Sequence, residues 1–273
     1  MYKSTCVIPI GEVEGLPMTL KKGAFILMEY TVYSKDDHKI IDTTVEEKAK
    51  EGGIFNENSK YEPELVIIGE GMLFKSLEEE LVKLKEGETA TIELPPEKAF
   101  GKRDPSKIRI ISARELSRRG IIPRVNEEVE INGQRAIIRS VGGGRVTLDF
   151  NHPLAGKTLV YNIKIVKILK EPSEKLRELV YRWLKRALSR KDIKVRVREK
   201  VITIILPIRI LSVENLGIAI RGIIRDIQRY FPNVEKIIFR EEYEFPRKEV
   251  ERERKQDRSP KDTSKIEEES SKS

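Results

Sequence analysis

The sequence is poor in the residues on which metal sites, disulfide frameworks and membrane anchors depend. Its 273 residues include one cysteine, Cys6, and two histidines, His38 and His152. This composition excludes an internal disulfide and argues against a multi-thiolate or three-histidine metal site. No apolar run approaches the roughly 20 residues needed to span a bilayer, and residues 1–18 lack a signal-peptide core. We therefore expect no cofactor, no metal, no membrane partner and a cytoplasmic location.

Charge is plentiful, but it is unevenly distributed. Charged residues make up 36% of the chain, hydrophobic residues 38%, and the formal net charge is +8. Residues 171–241 hold 17 Lys and Arg against 9 Asp and Glu, so this segment alone accounts for the whole positive excess. Such asymmetry predicts either an anionic partner or self-association through that segment, or simply a solvated basic surface.

The first part of the chain has the pattern of a sheet with a single substantial helix. Residues 24–33 are β-branched and aromatic, which predicts a strand, and residues 158–169 predict another. Between them, residues 72–84 have apolar side chains at spacings of three and four, which predicts an amphipathic helix.

Residues 103–149 have short alternating segments separated by glycine-containing turns, and this pattern predicts a small β-rich unit. Asn132-Gly133 stands between two alternating segments and indicates a type I′ hairpin. A second turn is indicated at 142–144, where three glycines precede another alternating segment.

The chain after residue 170 predicts a further domain. An amphipathic helix over 174–190, strands over 193–198 and 201–210, a helix capped by Ser212 and a strand over 234–239 give the order α-β-β-α-β. From residue 242 onward apolar residues almost vanish, which predicts disorder. The pattern before Met18 is irregular, so we expect that Met18 is the true start.

Two segments carry a resemblance to a known family. Residues 151–156, Asn-His-Pro-Leu-Ala-Gly, precede a strand containing Tyr161, and residues 99–105 read Ala-Phe-Gly-Lys-Arg-Asp-Pro. Together with Gly69 and Gly71, they resemble the FKBP-type peptidyl-prolyl cis/trans isomerases of the SlyD-like branch. The additional domain resembles that of the long archaeal members.

The resemblance implies an α+β fold: a half-open antiparallel sheet wrapped on one short helix, with a small β-rich insert and a C-terminal α-β-β-α-β domain. The implied segments are an N-terminal extension (1–21), an isomerase domain (22–102 and 150–170), an insert-in-flap chaperone domain (103–149), a basic C-terminal domain (171–241) and a charged tail (242–273).

The resemblance also implies an activity, which is isomerisation of X–Pro bonds in unfolded or partly folded polypeptides, with holding of those chains by the insert. The mechanism would be non-covalent, and the sequence has none of the common nucleophile motifs. Leu73, Phe74 and Leu77 would form the pocket floor, with the Phe74 N–H offered to a substrate carbonyl. The implied pocket residues are Tyr30, Ile41, Asp42, Leu73, Phe74, Leu77, Phe100 and Tyr161.

Three positions depart from the family pattern. Phe100 stands where the family usually has tyrosine, and Leu77 replaces an aromatic floor residue. Glu64 falls where an apolar residue is common, although a shift of one residue would put Leu65 there. We expect these departures from the family pattern to affect macrolide binding more than isomerisation.

Two alternatives remain open from the sequence. The first is a chaperone without isomerase activity, if the changes at Phe100 and Leu77 have emptied the site. The second is a nucleic-acid or ribosome-binding protein that uses the basic segment 171–241, although few aromatic residues are interleaved there for base stacking.

Overall fold

The structure is a computed structural model, and it describes residues 20–243. In the first part of the chain, four strands alternate with two short helices. Their bounds are β1 (Phe25–Ser34), β2 (Ile40–Thr43), α1 (Glu46–Glu51), β3 (Glu64–Ile67), α2 (Lys75–Leu81) and β4 (Thr89–Leu94). Strand β1 pairs antiparallel with both β2 and β3, so one long strand organises this part of the fold.

The middle of the chain forms a separate four-stranded antiparallel sheet with one helix. Its elements are β5 (Ile108–Ser112), α3 (Ala113–Arg118), β6 (Glu128–Ile131), β7 (Gln134–Gly142) and β8 (Arg145–Asp149), in the sheet order β5-β8-β7-β6. At the β6–β7 tip, Asn132 and Gly133 have φ of 53° and 76°. Positive φ at both central residues is the requirement of a type I′ turn, so the predicted hairpin is confirmed.

The chain then returns to the first sheet as β9 (Leu159–Leu169). This strand lies between β1 and β4 and pairs antiparallel with both, giving the order β2-β1-β9-β4 with β3 also on β1. The buried faces of these strands and of α2 form one hydrophobic core. The predicted fold class, an α+β chain with an antiparallel sheet wrapped on a short helix, is confirmed.

Helix α2 is shorter than its apolar periodicity predicts. The pattern predicts a helix over 72–84, but the helix begins at Lys75, and Phe74 before it is extended (φ −59°, ψ 138°). Gly71, with φ of 70°, turns the chain just before this point and keeps the intervening residues out of the helix. Leu77 is fully buried against the sheet. Burial of such a side chain contributes about 1.5–3 kcal/mol.

The C-terminal domain is a three-stranded sheet with two helices. Its elements are α4 (Pro172–Leu184), β10 (Lys194–Arg198), β11 (Val201–Pro207), α5 (Leu216–Tyr230) and β12 (Lys236–Glu242). Strand β11 is central, and it pairs antiparallel with β10 and parallel with β12. The predicted order α-β-β-α-β is therefore present.

The predicted start of the second helix in this domain is wrong. Ser212 does not cap α5 but ends a 3₁₀ segment over 208–212, which follows the end of β11 at Pro207. Asn215 then adopts a left-handed conformation (φ 58°), and the helix begins at Leu216. Pro207 ends the strand, because proline cannot donate to the ladder, and Asn215 tolerates the left-handed conformation. The backbone therefore changes direction at both residues before the helix begins.

An apolar contact joins the C-terminal domain to the first sheet. The Phe25 ring meets Tyr230 edge-on, with ring centroids 5.4 Å apart. Leu179 of α4 is fully buried in the same contact. The other buried members are Phe25, Leu65, Ile67 and Leu169. The two domains are therefore held by a shared hydrophobic cluster.

Beside that cluster, Arg190 ties the C-terminal domain to the segment that leads into β3. Its guanidinium donates to both oxygens of Glu178 at 2.9 Å and to the Pro63 carbonyl at 2.6 Å. It also pairs with Glu62, which accepts a hydrogen bond from the Tyr181 hydroxyl. The chain at residues 62–63 is thus fixed by the C-terminal domain just before it reaches β3.

Several predictions concern residues beyond these bounds. Residues 1–19 and 244–273 lie outside the described part of the chain, so the N-terminal extension, the start at Met18 and the disordered tail stay predictions. The exact domain boundaries also stay predictions. Within residues 20–243, no helix has both the length and the apolarity to cross a bilayer.

Candidate functional site

A cavity of about 290 Å³ opens on one face of the first sheet. Alternation along β1 turns Met28, Tyr30 and Val32 to this side. Tyr161 on β9 is the register partner of Val32, so it lies beside them. The residues that line the cavity are Met28, Tyr30, Val32, Ile41, Asp42, Glu64, Leu65, Val66, Met72, Leu73, Phe100, Leu154, Leu159 and Tyr161.

Six of the eight residues expected in the pocket are brought together here. They come from β1, β2, the turn before α2, the segment after β4, and β9, which are distant in the sequence. The six are Tyr30, Ile41, Asp42, Leu73, Phe100 and Tyr161. Their assembly around one cavity is a geometric fact, and their part in catalysis stays a prediction.

The other two expected residues, Phe74 and Leu77, do not line the cavity. Leu77 is fully buried in the hydrophobic core, and Phe74 is partly buried against the same core. Within residues 20–243, the Phe74 N–H makes no hydrogen bond. Phe74 precedes α2, so this N–H has no partner inside the helix and is available to an external acceptor.

Polar atoms of the cavity wall are joined by one hydrogen bond. The Tyr30 hydroxyl donates to Asp42 Oδ2 at 3.0 Å. Burial raises the pKa of Tyr30 well above its ordinary value, and the negative charges of Glu64 and Asp42 add to the rise. Burial, with the Asp42 charge, also raises the pKa of Tyr161 to about 12. Both phenols are therefore neutral hydrogen-bond donors at physiological pH.

Phe100 lies at the rim of the cavity between two other rings. It meets Phe74 edge-on at 5.2 Å and stacks on His152 at 4.2 Å with an interplanar angle of 4°. The two segments that carry the family resemblance are also joined through their backbones, because the Gly156 N–H donates to the Gly101 carbonyl at 2.9 Å. The same side of the site therefore contains both segments.

Glu64 lies on the cavity wall, as its position in the sequence suggested. Val66, which shares its face of β3, belongs to the core beneath the cavity, whereas Leu65 belongs to the cluster shared with the C-terminal domain. Leu65 also lines the cavity, so both residues border it, and the hypothesis that a shift of one residue restores the family pattern stays a prediction. Lys185 of the C-terminal domain pairs with Glu64 at 2.9 Å, which compensates a carboxylate in this wall.

Sequence reasoning missed several lining residues. Met28 and Val32 follow from period-two alternation with Tyr30, and Leu154 lies inside the segment 151–156, so these signals were present. Met72 gave no comparable signal, because its direction depends on the turn before α2.

The chain matches two family models and is similar to several named proteins. Residues 109–154 match the family described as FKBP26, IF domain, and residues 172–244 match the family described as FKBP26_C-terminal. A short-type peptidyl-prolyl cis-trans isomerase of Methanocaldococcus jannaschii is 37% identical over 155 residues, which are 57% of this chain and 98% of that protein.

Two bacterial relatives agree with this match. An FKBP-type 16 kDa peptidyl-prolyl cis-trans isomerase of Escherichia coli is 30% identical over 154 residues, covering 55% of this chain and 94% of the relative. The FKBP-type peptidyl-prolyl cis-trans isomerase SlyD of Helicobacter pylori is 28% identical over 132 residues, covering 45% of this chain and 69% of the relative. The predicted resemblance is confirmed: this chain belongs to the FKBP-type peptidyl-prolyl cis/trans isomerases, in the SlyD-like branch.

Proposed function

We propose that the cavity bounded by Tyr30, Asp42 and Tyr161 is the place where this chain isomerises X–Pro bonds of unfolded or partly folded polypeptides. The observation that carries the proposal is a largely apolar cavity whose walls hold two neutral phenols, Tyr30 and Tyr161, and two carboxylates, Asp42 and Glu64. The cavity volume of about 290 Å³ is at the lower end of the range for small-ligand sites, which suits a proline ring and the adjoining amide.

The chemistry requires differential binding rather than a covalent intermediate. Rotation about the X–Pro amide crosses a barrier of about 18–20 kcal/mol, because resonance is lost in the twisted state. The planar amide is more polar than the twisted one, so an apolar wall disfavours the ground state relative to the transition state. The Phe74 N–H supports the proposal as a donor for a substrate carbonyl, since no protein acceptor in the described chain uses it.

Asp42 and Tyr161 have separate parts in the proposed mechanism. Asp42 accepts the Tyr30 hydrogen bond and thereby orients that ring against the substrate. Tyr161, on the neighbouring strand β9, is left with its hydroxyl free to donate, because no hydrogen bond from it is formed within residues 20–243.

We further propose that the insert β5–β8 holds unfolded polypeptide and supplies its prolines to the cavity. Several apolar side chains remain exposed on the insert although it has its own core. They are Ile108, Ile110, Ile122, Val125 and Val141, with Ile110 65% and Ile122 75% exposed. Large exposed apolar side chains grouped on one small unit are typical of an interaction surface.

The cavity proposal is tested by Asp42→Ala and Tyr161→Ala in a protease-free NMR exchange assay with a proline tetrapeptide. Both substitutions should lower kcat/KM while the protein stays folded. Asp37→Ala is the matched control, because Asp37 is an exposed aspartate outside the cavity. Wild-type turnover by both folded cavity variants would remove these residues from the site.

The proposed separation between isomerisation in the cavity and holding by the insert is tested by deleting residues 104–149 and closing the chain. Peptide turnover should be largely retained, whereas catalysis of a proline-limited refolding reaction should fall much more. Ile110→Ser combined with Ile122→Ser should act in the same direction without removing the insert. Equal loss on peptide and protein substrates would contradict the proposed holding role.

The cytoplasmic location, and an anionic partner or self-association through residues 171–241, stay predictions.

A further inference from the structure

A second hollow adjoins the cavity and is built from both domains. It has a volume of about 900 Å³ and shares Tyr30, Ile41, Asp42 and Glu64 with the cavity wall. One side is the loop between α1 and β3, and the other is the turn after α4, which contributes Lys185 and Arg186. The loop residues that line it include Asn56, Asn58, Ser59, Lys60 and Tyr61. We call this hollow the interdomain groove.

Nearly every charged side chain of the interdomain groove is already engaged. Lys60 donates to the Leu188 carbonyl at 2.6 Å, and Lys185 pairs with Glu64 at 2.9 Å. Asp42 accepts the hydrogen bond of Tyr30. Each of these side chains therefore already has a hydrogen-bond or ion-pair partner within the protein.

Arg186 differs from these residues. Its side chain is exposed at the groove, and it forms no ion pair or hydrogen bond with any residue between 20 and 243. A guanidinium has a fixed positive charge and donors arranged to grip a carboxylate from two sides. Arg186 is thus the charged side chain of the groove that has no hydrogen-bond or ion-pair partner within residues 20–243.

The groove adjoins the cavity and offers a path for the substrate chain on one side of a bound proline. An extended chain advances about 3.3 Å per residue, so residues next to a bound proline leave the cavity within two or three positions. The groove shares a wall with the cavity, and its amide and hydroxyl side chains suit the polar backbone of such a segment. The Tyr61 hydroxyl accepts the Asn56 N–H at 2.9 Å, so the loop is held in shape without a ligand.

We propose that the interdomain groove binds the part of the substrate that flanks the proline, and that Arg186 selects an acidic side chain in that part. The proposal rests on the proposed function of the cavity. It gives the C-terminal domain a part in substrate choice, because this domain supplies the selecting cation.

The test uses proline peptides that carry Glu, and matched peptides that carry Gln, at each of the three positions on either side of the proline. At one or more positions the full chain should favour Glu over Gln in kcat/KM by about two- to fivefold, the strength of an exposed ion pair. Arg186→Ala should abolish the preference, and Arg186→Glu should reverse it. Raising the salt concentration should weaken it.

Arg225→Ala is the control, because Arg225 is an exposed arginine of α5 that lines neither hollow. It should keep the preference of the wild type. An equal loss in Arg225→Ala, or an unchanged preference in Arg186→Glu, overturns the selecting role. Normal turnover of all peptides without a charge preference overturns this inference alone, whereas no turnover of any peptide overturns the cavity proposal with it.

Discussion

At the scale of single residues, Phe100 is held from two sides at the rim of the cavity. Phe74 meets it edge-on, and His152 stacks on its other face. About a third of its surface remains exposed, at 36%. The ring is therefore fixed in place but still open to a substrate, so a small change to it should act on binding and not on folding.

Phe100→Tyr adds one hydroxyl to this ring. If the hydroxyl reaches a substrate carbonyl, binding should improve by about 0.5–1.5 kcal/mol, or up to roughly tenfold. A bond that is equally good in ground and transition states raises affinity alone, whereas one that favours the twisted amide raises kcat as well. Peptide turnover and inhibitor affinity measure both effects.

Phe55→Tyr is a suitable control for that experiment, because Phe55 is similarly exposed, at 40%, and does not line the cavity. It should leave both quantities unchanged. If folded Phe100→Tyr protein also changes neither, residue 100 does not face the substrate.

The Asp42 charge has a measurable effect on its neighbours. Burial raises the pKa of Tyr161 to about 12, and the Asp42 charge contributes to the rise. Asp42→Asn removes that charge at nearly constant shape, so the pKa of Tyr161 should fall toward its ordinary value near 10. An NMR titration should show the phenol losing its proton at lower pH, and the alkaline loss of activity should shift in the same direction. If the pH at which activity is lost on the alkaline side does not move, Asp42 does not influence Tyr161. Asp37→Asn is the control, because it removes the same net charge elsewhere.

Residues of the site were predictable where a short motif placed them. Tyr30, Asp42 and Tyr161 followed from the family resemblance, and all three line the cavity. The pairing of Glu64 with Lys185 joins residues 121 positions apart, and local periodicity contains no information about such a contact. Sequence alone therefore marked Glu64 as unusual but could not supply the reason.

At the scale of elements, Asp149 fastens the insert to the isomerase domain. Its buried carboxylate accepts from Arg139 Nε at 3.1 Å and from the Asn151 side chain at 2.8 Å, and it pairs with Arg103. Burial opposes ionisation, but the hydrogen bonds from Asn151 and the two arginine partners prevail and hold the pKa of Asp149 below its ordinary value. Its stabilisation is thus present above about pH 3.9 and is lost as pH falls through the lower folded value.

Asp149→Asn should loosen the insert without disturbing the first sheet. Losing the charge should lower the insert's stability by about 1–3 kcal/mol, the range for an impaired buried polar group. Hydrogen exchange should accelerate in β5–β8 and stay unchanged in β1 and β9. Glu115→Gln is the control, since its ion pair with Arg119 is exposed. Uniform acceleration across both sheets would contradict a local fastening role.

Elements were more predictable than their ends. Both hairpins of the insert follow from glycine-containing turns, because positive φ is a local requirement that few residues meet. The starts of α2 and α5 were misplaced, since the backbone around Gly71 and Asn215 sets them and apolar spacing does not. The parallel pairing of β11 with β12 depends on a crossover through α5, which sequence pattern alone does not specify.

At the scale of the whole molecule, we expect the cluster around Leu179 to make the isomerase and C-terminal domains unfold as one unit. Leu179→Ala removes a fully buried side chain from it and should cost about 2–5 kcal/mol. We expect lower Tm for the isomerase and C-terminal domains together, with hydrogen exchange rising in β3 and α4. Leu116→Ala is the matched control, because Leu116 is equally buried but belongs to the core of the insert. Destabilisation of the C-terminal domain alone would show that the domains unfold independently.

The two ends of the insert meet where they leave the isomerase domain. The Phe150 N–H donates to the Lys107 carbonyl, and the Asp104 N–H donates to Asn151 Oδ1, each at 2.9 Å. Because these two ends are held together, the more than forty residues of the insert replace a single loop of the first sheet. Their number adds little to the entropy cost of closing that loop. The insert is therefore an inserted domain that could be exchanged for another without changing the sheet. A unit of other binding chemistry, spliced between the same two ends, should bring a new class of client to an unchanged catalyst.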